Sequence, residues 1–272
     1  MKKIMKNVLL SMLVVWGIAS LSSAGLIAHY QMDEATGPLI DVVGGQIAAE
    51  VGSGHNYGVV RAGGNAVALE GNGAWQLSLA ESTELNTLTN NFTVSSWIYW
   101  DSSVVKSGLN SNMIRIIGDD NPWDADCWSF GITDAGGLLF TKNGVVDAYS
   151  AVKPIVKDQW MLLTTVVSNT AGIEYYIDGD LVETNNNTTD CFVSGTHPGW
   201  FSGDEYDDFF ALGRANGDGE EQWFSGAFDD VRIYDNVLSA SDVADLYATT
   251  VPEPATMLLL SIGGLAAIRR RK

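Results

Sequence analysis

Asp33 and Asp41 near one end of this 272-residue chain, and Asp229 and Asp230 near the other, carry the carboxylates that can hold a hard cation. Carboxylate oxygens, joined by backbone carbonyls, make the oxygen set that Ca²⁺ takes. An ordinary use competes with that reading. Asp230 stands two residues from Arg232 and would pair with it or with another cation, and Asp33 would cap a turn. Asp119-Asp120-Asn121-Pro122-Trp123-Asp124-Ala125-Asp126 carries four more carboxylates in eight residues and reads as a solvated acidic loop. Asn216, Asp218 and Glu220 alternate with glycines, but they lack the twelve-residue spacing of an EF-hand.

Sugar recognition is the second chemistry on offer. Trp123, Trp200 and Tyr206 lie in loop-like, acid-rich segments, beside Phe201 and Trp223. Aromatic faces there would stack on sugar rings while Asp accepts sugar hydroxyls. Trp75, Trp97 and Trp160 sit instead within strand patterns and would fill a core. Catalysis has the least support. Glycoside hydrolysis needs a pair of carboxylates flanking the scissile bond, and the string Glu-x-Asp-x-x-Glu does not occur. Glu174, Asp178 and Asp180 do not fit that spacing. His29, His55 and His197 are far apart, and neither Gly-x-Ser-x-Gly nor His-Glu-x-x-His is present. The expectation is a non-enzymatic protein.

The elements that must carry these residues centre on Trp160 to Glu183. Trp160 to Val167 is rich in Leu, Thr and Val, which pack well on a pleated surface. A turn cluster at Ser168 to Gly172 follows. Ile173, Tyr175 and Ile177 then share one strand face, and Glu174, Tyr176 and Asp178 take the other. Asp178-Gly179 suits a two-residue hairpin whose central residues need positive φ. Phe92 to Trp100 carries bulk on both faces and should be a central strand. Residues 48–64 are glycine-rich and read as a surface loop. Ser239 to Asp242 fits a capping box opening a short helix, with Val243, Leu246 and Tyr247 at helical spacing. About a dozen short strands and one terminal helix describe an all-β, two-sheet antiparallel jelly-roll sandwich.

Both ends read as processing signals. Residues 1–24 open with Lys2, Lys3 and Lys6, continue through an apolar run and close on Ser22-Ser23-Ala24, the pattern of a secretory signal peptide. At 251–272, Pro252-Glu253-Pro254 precedes a short apolar segment, Ala255 to Ile268, and then Arg269-Arg270-Arg271-Lys272. Fourteen helical residues reach about 21 Å against a hydrocarbon core of about 30 Å, which makes a poor permanent anchor. The formal net charge is −18, yet seven of the fifteen Lys and Arg belong to these two ends, so the segment between is more acidic still. Such a surface repels nucleic acid. Cys127 and Cys191 are the only cysteines. In an exported chain they would form a disulfide worth about 4 kcal/mol, with two separately buried thiols as the alternative.

The tail resembles the PEP-CTERM sorting signal of Gram-negative bacteria, with Pro252, Glu253 and Pro254 as the motif. That resemblance implies transient membrane insertion, recognition by an exosortase, removal of the tail, and delivery to the cell surface or extracellular matrix. A plain C-terminal anchor is the alternative. The segment 25–250 resembles laminin-G-like (concanavalin A-like) jelly-roll domains. Four pieces carry the likeness: Gly25 to Glu34, Phe92 to Tyr99, Trp160 with Tyr176-Ile177-Asp178-Gly179, and Gly226 to Tyr234 with Leu238-Ser239. It implies that the first and last strands are neighbours, bringing Asp33 and Asp41 toward Asp229 and Asp230, where relatives often hold a structural calcium. The expected role is binding of extracellular polysaccharide or a surface protein. A polysaccharide-active hydrolase or lyase on the same fold is the alternative.

Overall fold

The computed structural model describes residues 25–61, 64–69, 74–78, 88, 91–103, 113–119, 128–142, 146–186, 209–213 and 224–251. In chain order the strands begin with β1 (Leu26–Tyr30), β2 (Leu39–Ile40), β3 (Ile47–Val51), β4 (His55–Arg61), β5 (Gly64–Leu69), β6 (Ala74–Ser78), β7 (Asn91–Trp100) and β8 (Met113–Asp119). They continue with β9 (Trp128–Thr133), β10 (Leu138–Lys142), β11 (Val146–Tyr149), β12 (Trp160–Ser168), β13 (Gly172–Ile177), β14 (Asp180–Asn185), β15 (Phe209–Leu212) and β16 (Gly226–Tyr234). One helix, α1 (Ala240–Thr250), closes the described chain.

The strands form two antiparallel sheets. The first runs β14-β13-β12-β7-β16-β5-β4, with β1 also paired to β16; the second runs β11-β10-β9-β8-β15-β6-β3-β2. The expected sandwich is therefore present, and β7 lies at the centre of its sheet. Phe92, Val94, Ile98 and Trp100 of β7 enter the layer between the sheets, with Phe130, Phe140, Ile173, Tyr175, Phe228 and Ile233. Trp97 points the opposite way, as the period of two requires. Tyr176 does the same in β13, where Ile173, Tyr175 and Ile177 face inward. The Asp178-Gly179 hairpin has φ of 52° and 86°, the doubly positive turn its residues called for.

A second, smaller apolar layer covers the outer side of the first sheet. Trp97, Leu162, Val166, Tyr176 and Tyr234 pack there against Val243 and Leu246 of α1. Ser239 Oγ accepts from the Asp242 amide, and the Asp242 carboxylate accepts from the Ser239 amide, so the capping box forms as read.

One expectation fails. Residues 48–64, read as a loop, contain most of β3 and all of β4 and open β5. β4 is an edge strand whose burial alternates along its length. Its pairing with β5 shifts register between Tyr57 and Val59, around Gly58 at φ 78°. Glycine and polar residues that suit an exposed, bulged edge hid the strand's period.

Candidate functional site

Strand β16 changes neighbour part-way along. Gly226 to Phe228 pair with β5, and Val231 to Tyr234 pair with β1. Between them the register against β7 shifts, and Asp230 takes φ 52°. Asp tolerates this left-handed backbone better than most residues. Asp229 and Asp230 thus sit on a seam where β1, β4 and β5 converge.

Each of the four aspartates that the sequence pointed to has its own protein partner near this seam. Asp41 is buried, and its carboxylate accepts from the amides of His29 at 2.8 Å, Val43 at 2.9 Å and Gly44 at 2.9 Å. Asp33 Oδ1 accepts from the Asn65 amide at 3.2 Å. Asp229 is buried in an ion pair with Arg61 Nε. Asp230 Oδ1 lies 2.6 Å from His29 Nε2 and 3.0 Å from both Arg232 Nε and Nη2. Burial pushes the Asp229 carboxyl up to about 6, against the pull of Arg61. Burial works against the charge on Asp230 as well, but His29 and Arg232 outweigh it and hold that carboxyl below the usual range.

These oxygens are engaged by amides, guanidinium groups and an imidazole. Among the described residues no three His, Cys, Asp or Glu side chains gather as a metal site.

Arg61 reaches further. Its guanidinium lies over the Trp97 ring at 4.4 Å, and Nη1 donates to the Thr250 carbonyl at 3.0 Å. Trp97 Nε1 donates to Thr250 Oγ1, also at 3.0 Å. The sequence reading missed Arg61 because it fell in the supposed loop. The available signal was scarcity: in so acidic a domain every cation is a candidate partner for a buried carboxylate.

A second polar cluster occupies the face of the second sheet turned away from the core. Arg115 of β8 donates from Nη1 to Thr141 Oγ1 at 2.6 Å, and Thr141 donates to Asp147 Oδ1 at 2.7 Å. Tyr149 stands beside Asp147 on β11, 38 % exposed. Burial brings the Arg115 guanidinium down to about 10, opposed by Asp147 and Tyr149. Ser129 Oγ, also on this face, is buried and has no hydrogen-bond partner among the described residues. The arrangement presents a carboxylate and a phenol at a strand edge, backed by a buried cation.

The residues from 70 to 244 match the family description "Concanavalin A-like lectin/glucanases superfamily", more than half of the chain. The chain belongs to that superfamily. Residues 250–272 match the PEP-CTERM protein-sorting motif, so the chain carries the signal of an exported, exosortase-processed surface or extracellular protein. Comparison with curated protein sequences returns no match. Among solved structures, domain 4 of an extracellular arabinanase from Geobacillus stearothermophilus, in complex with arabinotriose, is similar at 22% identity and TM-score 0.55, covering 82% of this chain and 98% of that one. A Trypanosoma rangeli sialidase mutant displaying trans-sialidase activity matches at 14% identity and TM-score 0.60, over 87% of this chain and 35% of its own. The receptor binding domain of a botulinum neurotoxin C/D mosaic matches at 16% identity and TM-score 0.56, over 83% of this chain and 51% of its own. At these identities the likeness is one of fold, and fold does not assign function.

Trp123, Trp200 and Tyr206, the two cysteines Cys127 and Cys191, the signal-peptide segment and Pro252-Glu253-Pro254 lie outside the described residues.

Proposed function

We propose that this protein is a non-catalytic binding module displayed at the cell surface or in the extracellular matrix, taking polysaccharide or protein partners. The sorting signal directly behind a concanavalin A-like domain is the observation that carries this reading. The signal peptide would export the chain, the tail would enter the membrane briefly, and exosortase would remove it.

The exposed edge of the second sheet at β11 supports a binding role. Among the described residues its polar cluster centres on Asp147, tied through Thr141 to a buried Arg115. Asp147 and Tyr149 together give the edge strand a carboxylate acceptor and a phenol donor for the hydroxyls of a partner. Trp123, Trp200 and Tyr206 would add stacking surfaces to the loops. Calcium has no part in the seam on this reading; any calcium would be held by another part of the acidic surface.

Binding of the tail-free domain to a glycan array, with and without EDTA, tests the proposal. Sugar binding that falls at least tenfold in Trp200→Ala or Tyr149→Ala supports a lectin. Release of reducing ends from matrix polysaccharide would overturn the non-catalytic reading.

A further inference from the structure

The Arg61 cluster grips the polypeptide at the point where the sorting signal begins. α1 has no basic residue in its last turn, so the partial negative charge of its carbonyl end lacks a local partner. Arg61 supplies one from β4, donating to the Thr250 carbonyl while it is ion-paired to Asp229 and seated on Trp97. Trp97 holds the Thr250 hydroxyl, and Val251 packs against the same apolar layer. Arg61, Trp97 and Asp229 are all buried, so this is a closed contact and no passing surface ion pair. Thr250 is also the first residue matched as sorting signal.

Only Val251, Pro252, Glu253 and Pro254 separate this grip from the apolar segment that starts at Ala255. Fully extended, four residues span about 14 Å. With the tail in a bilayer, the folded domain is therefore held within that distance of the lipid surface. An enzyme that removes the tail must work in this gap. It needs extended chain on both sides of the bond it cuts, and the grip withholds everything up to Thr250.

We infer that Arg61, Trp97 and Asp229 form a latch that shields the sorting signal, and that tail removal proceeds faster when the latch opens. Opening lets the last turn of α1 unwind and adds its residues to the accessible linker. This inference rests on the proposed processing by exosortase.

The test follows tail loss by pulse-chase and intact-protein mass in an exosortase-bearing host, using the full chain. Three variants are compared with the parent: Arg61→Met, six Gly/Ser residues inserted between Val251 and Pro252, and both together. Arg61→Met keeps the apolar stem over Trp97 and removes the cation. The insertion lengthens the linker and touches no latch residue, so it carries the test even where Arg61→Met fails to fold. Each single change should speed tail loss roughly 5- to 30-fold, and the pair should add nothing further. Equal rates in the parent and the insertion variant overturn the latch while leaving the processing reading intact. A parent that never loses its tail overturns both.

Discussion

At the scale of single residues, the seam shows two ways for a protein to hold a buried carboxylate. Asp41 is held by geometry: the Val43 and Gly44 amides of the tight turn after β2 and the His29 amide of β1 donate to its oxygens. Asp41→Ala leaves those donors unpaired and should cost about 1–3 kcal/mol, read by urea unfolding of the tail-free domain. Asp229 is held by a counter-ion inside a desolvated pocket. Its carboxyl titrates from 3.8 in the unfolded chain to about 6 in the fold, so between those values the folded state keeps a proton that the unfolded state has released. That contribution is full below 3.8 and is lost as pH rises through 6. The melting temperature of the parent relative to Asp229→Asn should therefore fall as pH rises from about 4 to about 7. A flat difference would show that Arg61 cancels the effect of burial. Asp230, whose carboxyl is depressed, runs oppositely: its stabilisation is present above the ordinary carboxylate range and is lost in acid.

Elements were legible where both faces of a strand leave a mark. β7 and β13 could be read face by face because their inward and outward positions are both apolar, and they meet two different layers. The hairpin between β13 and β14 and the cap of α1 were legible from Asp178-Gly179 and Ser239. β3 and β4 were not, since an edge strand with one wet face and a glycine bulge mimics a loop in composition. The seam was half legible. Resemblance placed the four aspartates near one another, but their partners come from Asn65, Arg61 and two backbone amides of the turn, which spacing does not reveal. Two predictions belong to this scale. Ser239→Ala removes the helix cap and should lower stability by about 1 kcal/mol in thermal scans. Gly179→Ala should cost more, because φ there is 86° and the new Cβ would lie 3.0 Å from the Cβ of Tyr247 on α1. It strains the hairpin and pushes the helix off the sheet together, so near-neutrality would contradict the packing of α1 described above.

For the molecule as a whole, the two apolar layers give the first sheet a core on both sides, whereas the second sheet offers a polar outer face. That asymmetry divides the labour: one side secures the tail, and the other exposes Asp147 and Tyr149 at the edge strand β11. Because the seam aspartates already have protein partners, EDTA should leave the melting temperature of Asp230→Asn and the parent shifted equally, by whatever calcium the rest of the surface holds. A larger EDTA shift in the parent would place an ion at the seam after all.

The pairing of β1 with β16 joins His29 to Arg232, positions 203 residues apart. In the proposed export from the amino end, β1 therefore waits for its β16 partner until almost the last of the domain has come through. Translocation intermediates stalled before Gly226 should be digested by added protease at concentrations that spare the completed domain, which makes survival in transit, as much as final stability, a requirement that this topology imposes on the cell.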